Sequence, residues 1–183
     1  QREFRRDRTA MLARLPEFES LCDEAAAIKD HVLAHLDLYL EAFEARVVAL
    51  GGHVHWCETA ADARNVILDI CRDRGATRVV KGKSMVSEEI ALNDHLEANG
   101  IRPVETDLGE YILQIRHETP SHIVMPAIHL DAGRIAASFR AAHLDLDPDR
   151  PLDHSDLLLE EARARLRGEF LDAQVGITGA NFL

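Results

Sequence analysis

The hydrophobic pattern of this chain changes period about a quarter of the way along. From Ala27 to Leu50 apolar side chains recur at Ile28, Val32, Leu36, Tyr39, Leu40, Phe43 and Val47. Steps of three and four paint one face of a single long helix, which Gly51 and Gly52 stop. Short β-forming runs and helical stretches then take turns. His53 to Cys57 (HVHWC) reads as a strand, and Thr59 caps a helix running to Arg74. Arg78 to Lys81 is a second strand, Ser87 to Asn99 a helix, Ile101 to Thr106 a third strand and Leu108 to Ile115 a helix. Ser121 to Met125, between Pro120 and Pro126, reads as a fourth strand, followed by a helix from about Asp131 to His143. The stretch from Asp145 to Asp153, with two prolines and four aspartates, is a connection. Ser155 to Ala173 is a closing helix that packs through Leu158, Leu159, Ala162, Leu166 and Phe170. Strand–helix repetition at intervals of about 25 residues predicts an α/β fold, a mostly parallel sheet flanked by helices with right-handed crossovers. An N-terminal helical segment at 1–50 precedes an α/β domain at 51–183.

The 183 residues are 46% hydrophobic, enough to bury one core. Thirty-two acidic against 21 basic side chains give a formal net charge of −11, which disfavours nucleic acid and anionic membrane surfaces as partners. No apolar run approaches the roughly 20 residues that cross a bilayer, and no signal-peptide core follows the first residues. A soluble, cytoplasmic protein without a membrane span is expected. Cys22, Cys57 and Cys71 are odd in number and in no metal-binding spacing, so reduced, mostly buried thiols are expected. The final residues, GITGANFL, turn apolar with no polar tail, and the chain is expected to stop in the middle of a domain.

Candidate chemistry sits at the ends of the strands. VVKGKSMVSEEI (79–90) suggests a nucleotide-phosphate loop, but Thr77 stands where that loop needs glycine, and the intervening residues are the strand itself. What remains is Lys81-Gly82-Lys83-Ser84 at the carboxyl end of a parallel strand, where open α/β sheets collect ligands. Two ammonium groups, a glycine and a hydroxyl suit a small carboxylate or phosphate. On the plainer reading Ser84 or Ser87 caps the next helix and the lysines pair with Glu88 and Glu89. In ETDLGEYI, Asp107 and Glu110 have capping-box spacing. Glu105 and Thr106 lie outside that explanation, and Glu105 would serve as a general base or carboxylate nucleophile if buried beside the lysines. In PSHIVMPAIHL, His122 falls in the fourth strand and His129 beyond Pro126; a lone strand histidine reads as a hydrogen-bonded core residue rather than a metal ligand, and His53 and His55, on one strand face with no third ligand, read as structural.

KGKSMVSEEI, ETDLGEYILQI, PSHIVMPAIHL and GITGANFL, in this order and over roughly Glu17 to Leu183, resemble the lactate-utilisation (LUD) domain of the B-type iron–sulfur component of bacterial L-lactate utilisation complexes. The resemblance implies a fold similar to the CoA-transferase and ribose-phosphate-isomerase group. It implies a three-component system oxidising L-lactate to pyruvate without a nicotinamide cofactor, with electrons passed through iron–sulfur clusters. It also implies two [4Fe–4S] clusters in a missing C-terminal part, since this chain has no ferredoxin-like cysteine run and ligates no metal itself. Its pocket carries over onto Lys81, Lys83, Ser84, Glu88, Thr106, Gly109 and Glu110 for substrate binding, with Glu105 or Asp107 expected to face the substrate hydroxyl. Two other readings stay open: a stand-alone acyl-CoA or phosphosugar enzyme of the same fold, or a non-catalytic docking module.

Overall fold

The computed structural model describes residues 2–121 and 125–179, and the chain divides into two compact units, 1–56 and 57–183.

The first unit is helical: α1 (Arg2–Leu12), α2 (Phe18–Ala34) and α3 (Leu36–Ala49). The single helix expected over Ala27–Leu50 is two, because His35 leaves helical geometry at φ −127° and its N–H turns back to the Val32 carbonyl. Neither α2 nor α3 buries a residue, and Ile28, Leu36, Tyr39 and Phe43 of the apolar face are exposed. HVHWC forms no strand, and the Trp56 indole instead donates to Glu44 Oε2 at 3.2 Å. Among the described residues no strand lies beside it, and without one a β-forming segment has no ladder to join.

The second unit runs α4 (Ala60–Asp73), β1 (Arg78–Lys81), α5 (Met85–Glu89), α6 (Leu92–Ala98), β2 (Arg102–Glu105), α7 (Leu108–Arg116), α8 (Ala132–Ala142), α9 (Ser155–Asp172) and β3 (Val175–Ile177). The sheet has the order β2-β1-β3 and is parallel throughout, with Lys81 opposite both Glu105 and Ile177. Thr59 and Asp62 form a reciprocal capping box that starts α4. The helix expected over Ser87–Asn99 is broken by Ala91, which sits in the left-handed region at φ 48°. Beside the break, the Ile90 carbonyl accepts from Arg64 Nη1 at 3.0 Å. The fourth strand expected at Ser121–Met125 rests on 122–124, outside the described residues; Ser121 and Met125 themselves are not in a strand. β3 was not expected, since three residues around a glycine show no strand period.

Successive strand residues face opposite sides. Val79 packs with Leu68, Cys71, Leu92, Leu96 and Ile101 on one face. Val80 packs with Val104, Tyr111, Ile112, Phe139, Leu158 and Leu166 on the other. Of the α9 stripe, Phe170 is an exception at 53% exposure. Cys71 is buried, but Cys22 and Cys57 are exposed, contrary to the expectation of mostly buried thiols. The outer edge of β2 is closed by one side chain. Gln114 Oε1 accepts from Glu105 N–H at 2.9 Å, and its amide donates to the Pro103 carbonyl at 2.9 Å. Those are the bonds a neighbouring strand would make, and Pro103 removes the remaining outward donor.

Candidate functional site

Parallel pairing sets Lys81 and Glu105 side by side at the strand ends. Lys81 is 1% exposed; its ammonium lies 2.7 Å from Glu105 Oε1 and donates to Ser87 Oγ at 2.8 Å. Asn93 Nδ2 donates to the same carboxylate oxygen at 2.8 Å. Two opposite charges this close and this dry neutralise one another, so Lys81 serves the fold as a buried partner of Glu105. The cation that reaches the surface is Lys83.

The neighbouring backbone is shaped by residues expected to bind substrate. Thr106 gives both its N–H and its hydroxyl to the Lys81 carbonyl, at 2.9 and 3.0 Å, extending the β1–β2 ladder. Asp107 Oδ1 accepts from Gly109 and Glu110 N–H, capping α7. Ser84 caps α5 by accepting from Ser87 N–H at 3.1 Å. At Gly109 an added Cβ would lie 2.7 Å from Pro126 Cγ, a rigid ring that cannot swing aside. Gly109→Ala is therefore expected to destabilise the protein by about 1–3 kcal/mol, read as a lower midpoint in urea at constant m.

Lys83, Met85, Glu88, Glu89, Glu110, Pro120 and Ser121 line a cleft of about 270 Å³. The Glu110 side chain is 7% exposed, and Oε1 lies 3.7 Å from Lys83 Nζ. Burial first, then the Glu88 and Glu105 carboxylates, push Glu110 up to about 7, against the pull of Lys83. The folded protein thus holds a proton on Glu110 that the unfolded chain, titrating near 4.3, releases. That contribution is complete below the unfolded value and is lost as pH rises through about 7. Glu110→Gln is expected to flatten this limb and to be the more stable protein at pH 8, by on the order of 2 kcal/mol; thermal melts of both proteins from pH 5 to 8 check it.

Among the nine residues singled out from sequence, then, Lys83, Glu88 and Glu110 share the cleft. Lys81 and Glu105 form a buried pair, and Ser84, Thr106, Asp107 and Gly109 hold the backbone. Pro120 and Ser121 come to the cleft from chain distant in sequence, whereas Met85 and Glu89 lie beside Ser84 and Glu88 and were read there as parts of a helix start. The three cysteines form no ligand set, and among the described residues no three His, Cys, Asp or Glu side chains stand together to hold a metal.

A second polar network, also missed, lies elsewhere in the unit. Tyr111 Oη is 2.7 Å from His143 Nε2, and His143 Nδ1 is 2.9 Å from Glu161 Oε1. Arg165 and Arg150 donate to Glu161 at 2.8 and 2.9 Å. Glu161, 1% exposed, sits below its usual range because the bonds from Arg165 outweigh burial. His143 is lowered by burial and by Arg165, so the neutral ring donates to Glu161 and accepts from Tyr111.

The parallel sheet with its motifs at the strand ends defines a LUD-domain protein: the family model described as LUD domain matches residues 40–183, and the chain belongs to that family. It is 42% identical over 182 residues to the uncharacterized electron transport protein YkgF of Escherichia coli, covering 100% of this chain and 38% of that protein. It is 46% identical over 169 residues to lactate utilization protein B of Macrococcus caseolyticus, covering 92% of this chain and 35% of the relative. With lactate utilization protein B of Bacillus subtilis the identity is 45% over 167 residues, 91% of this chain and 33% of the relative. The chain thus spans little more than a third of the length of these relatives. No solved structure matches it.

Proposed function

We propose that this chain is the LUD portion of a component of a multi-component lactate-utilisation system. In this reading the system oxidises L-lactate to pyruvate without a nicotinamide cofactor, and the cleft receives the 2-hydroxy acid. The names of its relatives support the role in lactate utilisation, and one relative's name supports electron transport. The observation that carries the site is the meeting of one ammonium group, Lys83, with the buried Glu110 carboxyl, raised to about 7, and the neighbouring Glu88 in a small cleft at the strand ends. Lys83 takes the substrate carboxylate. The carboxyl pair faces the hydroxyl, with Glu110 in place of Glu105 or Asp107 as the group poised to hold or accept its proton near neutral pH. The two [4Fe–4S] clusters that the resemblance implies would be held outside these residues, and nothing in the cleft depends on them.

Titrating the chain with L-lactate and with pyruvate by calorimetry, beside Lys83→Ala, tests the site. Saturable heat from the wild type that Lys83→Ala reduces at least tenfold in affinity is expected. Equal heats from both proteins reject it.

A further inference from the structure

One side chain of the cleft takes no part in that reading. Ser121 is exposed on its wall, and its hydroxyl lies 2.9 Å from His129 Nδ1. The opposite ring nitrogen, His129 Nε2, lies 3.1 Å from Glu118 Oε2. Glu118 is itself fixed by Arg116, whose Nε and Nη2 reach Oε1 at 3.0 and 2.5 Å, while Arg116 Nη1 donates to Ser138 Oγ at 2.7 Å. From these contacts we propose that Ser121, His129 and Glu118 form an acyl-transfer relay. In it Ser121 is a nucleophile toward small esters, a reaction beyond the lactate-handling reading that uses the same cleft.

The order of donors follows from the carboxylate. The bonds from Arg116, then from His129, hold Glu118 at about 2, ionised and acceptor-only at neutral pH. It therefore draws the ring proton of neutral His129 to Nε2. That leaves a lone pair on Nδ1, 2.9 Å from the serine hydroxyl, which donates to it. A hydroxyl, an imidazole acceptor and an orienting carboxylate in series are the parts that activate serine, whichever ring nitrogen faces which partner. In its other arrangement the Ser121 hydroxyl donates to the Pro126 carbonyl at 2.9 Å, so it has a resting partner when His129 is protonated.

The reaction balances without a further reagent. Ser121 Oγ bonds to the ester carbonyl carbon and its proton passes to His129 Nδ1. The bond from that carbon to the leaving alcohol breaks, and His129 returns the proton to the departing oxygen. Water repeats the exchange and releases the acid and the free hydroxyl. The cleft, at about 270 Å³, takes a small acyl group. Glu88, Glu89 and Glu110 on its walls disfavour multiply anionic carriers and favour an uncharged or cationic leaving group. Lys83 lines the same cleft and supplies positive charge for the carbonyl oxygen as it becomes anionic.

The test is labelling with a fluorophosphonate probe, with the modified peptide located by mass spectrometry, alongside hydrolysis of p-nitrophenyl acetate. The wild-type chain is expected to be labelled at Ser121. Labelling should be lost in Ser121→Ala and slowed at least tenfold in His129→Ala, with ester hydrolysis falling in parallel. Because Ser121→Ala also removes the bond to Pro126, Ser121→Cys serves as the second variant and is expected to retain a trapped acetyl group at that position. Folded wild-type chain that takes up no label, label placed elsewhere than Ser121, or a His129→Ala rate equal to wild type overturns the proposal. Melts of all three variants within a few degrees of wild type make the comparison one of chemistry.

Discussion

Lys81→Met is expected to lose about 3–5 kcal/mol of stability, among the largest effects of any single substitution in this chain. The change removes the ammonium 2.7 Å from Glu105 and leaves a carboxylate that is 4% exposed. Glu105 then retains Asn93 as a side-chain donor, and its Oε2 has no hydrogen-bond partner among the described residues even with Lys81 present. The chain must either keep an uncompensated buried charge or protonate Glu105 at a cost that grows with pH. Removing both charges together should recover most of the loss, because well-packed apolar side chains avoid the desolvation penalty altogether. In urea, Lys81→Met should unfold well below wild type, and Lys81→Met/Glu105→Leu close to it. Midpoints for the single variant within experimental error of wild type would mean that the pair is hydrated.

Glu161→Ala is expected to cost about 3 kcal/mol or more, for a related reason. One buried carboxylate accepts from His143, Arg150 and Arg165, so its loss strands the buried His143 ring, bonded on its other side to Tyr111, and takes one partner from each arginine. The pH dependence identifies the cause. Glu161 is held below its ordinary range, so its contribution is complete above the unfolded carboxylate value and is lost as pH falls through the depressed one. The gap between wild type and Glu161→Gln should therefore be widest near neutrality and close in acid. Denaturation midpoints followed from pH 7 down into acid distinguish this from a packing defect, which would keep the gap constant.

Much of the α/β unit was legible in the sequence, and the reasons separate what was read from what was not. Val79, Val80 and Val104 lie in buried β-forming runs, and Thr59, Ser84 and Asp107 are caps whose side-chain chemistry is local, so neighbouring residues suffice to place them. The left-handed turn at Ala91 and the break at His35 leave no such mark, since neither residue is a glycine or proline. β3 is stabilised by pairing with β1, roughly a hundred residues earlier in the chain, which no local pattern encodes. In the site, residue types at the strand ends pointed to the right place, but not to the partner of each charge. Lys81 and Lys83 are two residues apart and of one type, yet the first is buried against Glu105 and the second lines the cleft with Glu110. The His143–Glu161 network and the Ser121–His129–Glu118 relay join residues from separate elements and loops, and only the folded chain reveals them.

In the proposed site Lys83, Glu88 and Glu110 would receive a small 2-hydroxy acid. An anion beside Glu110, which titrates at about 7, raises that value further, so binding must take up protons near neutral pH. The most direct measurement is calorimetry of L-lactate binding at pH 7 in buffers of different ionisation enthalpy, on wild type and Glu110→Gln. Heat that varies with the buffer in the sense of proton uptake for wild type, and is independent of the buffer for Glu110→Gln, is the predicted result. No saturable heat from the wild type, or the same proton uptake in both proteins, would contradict it.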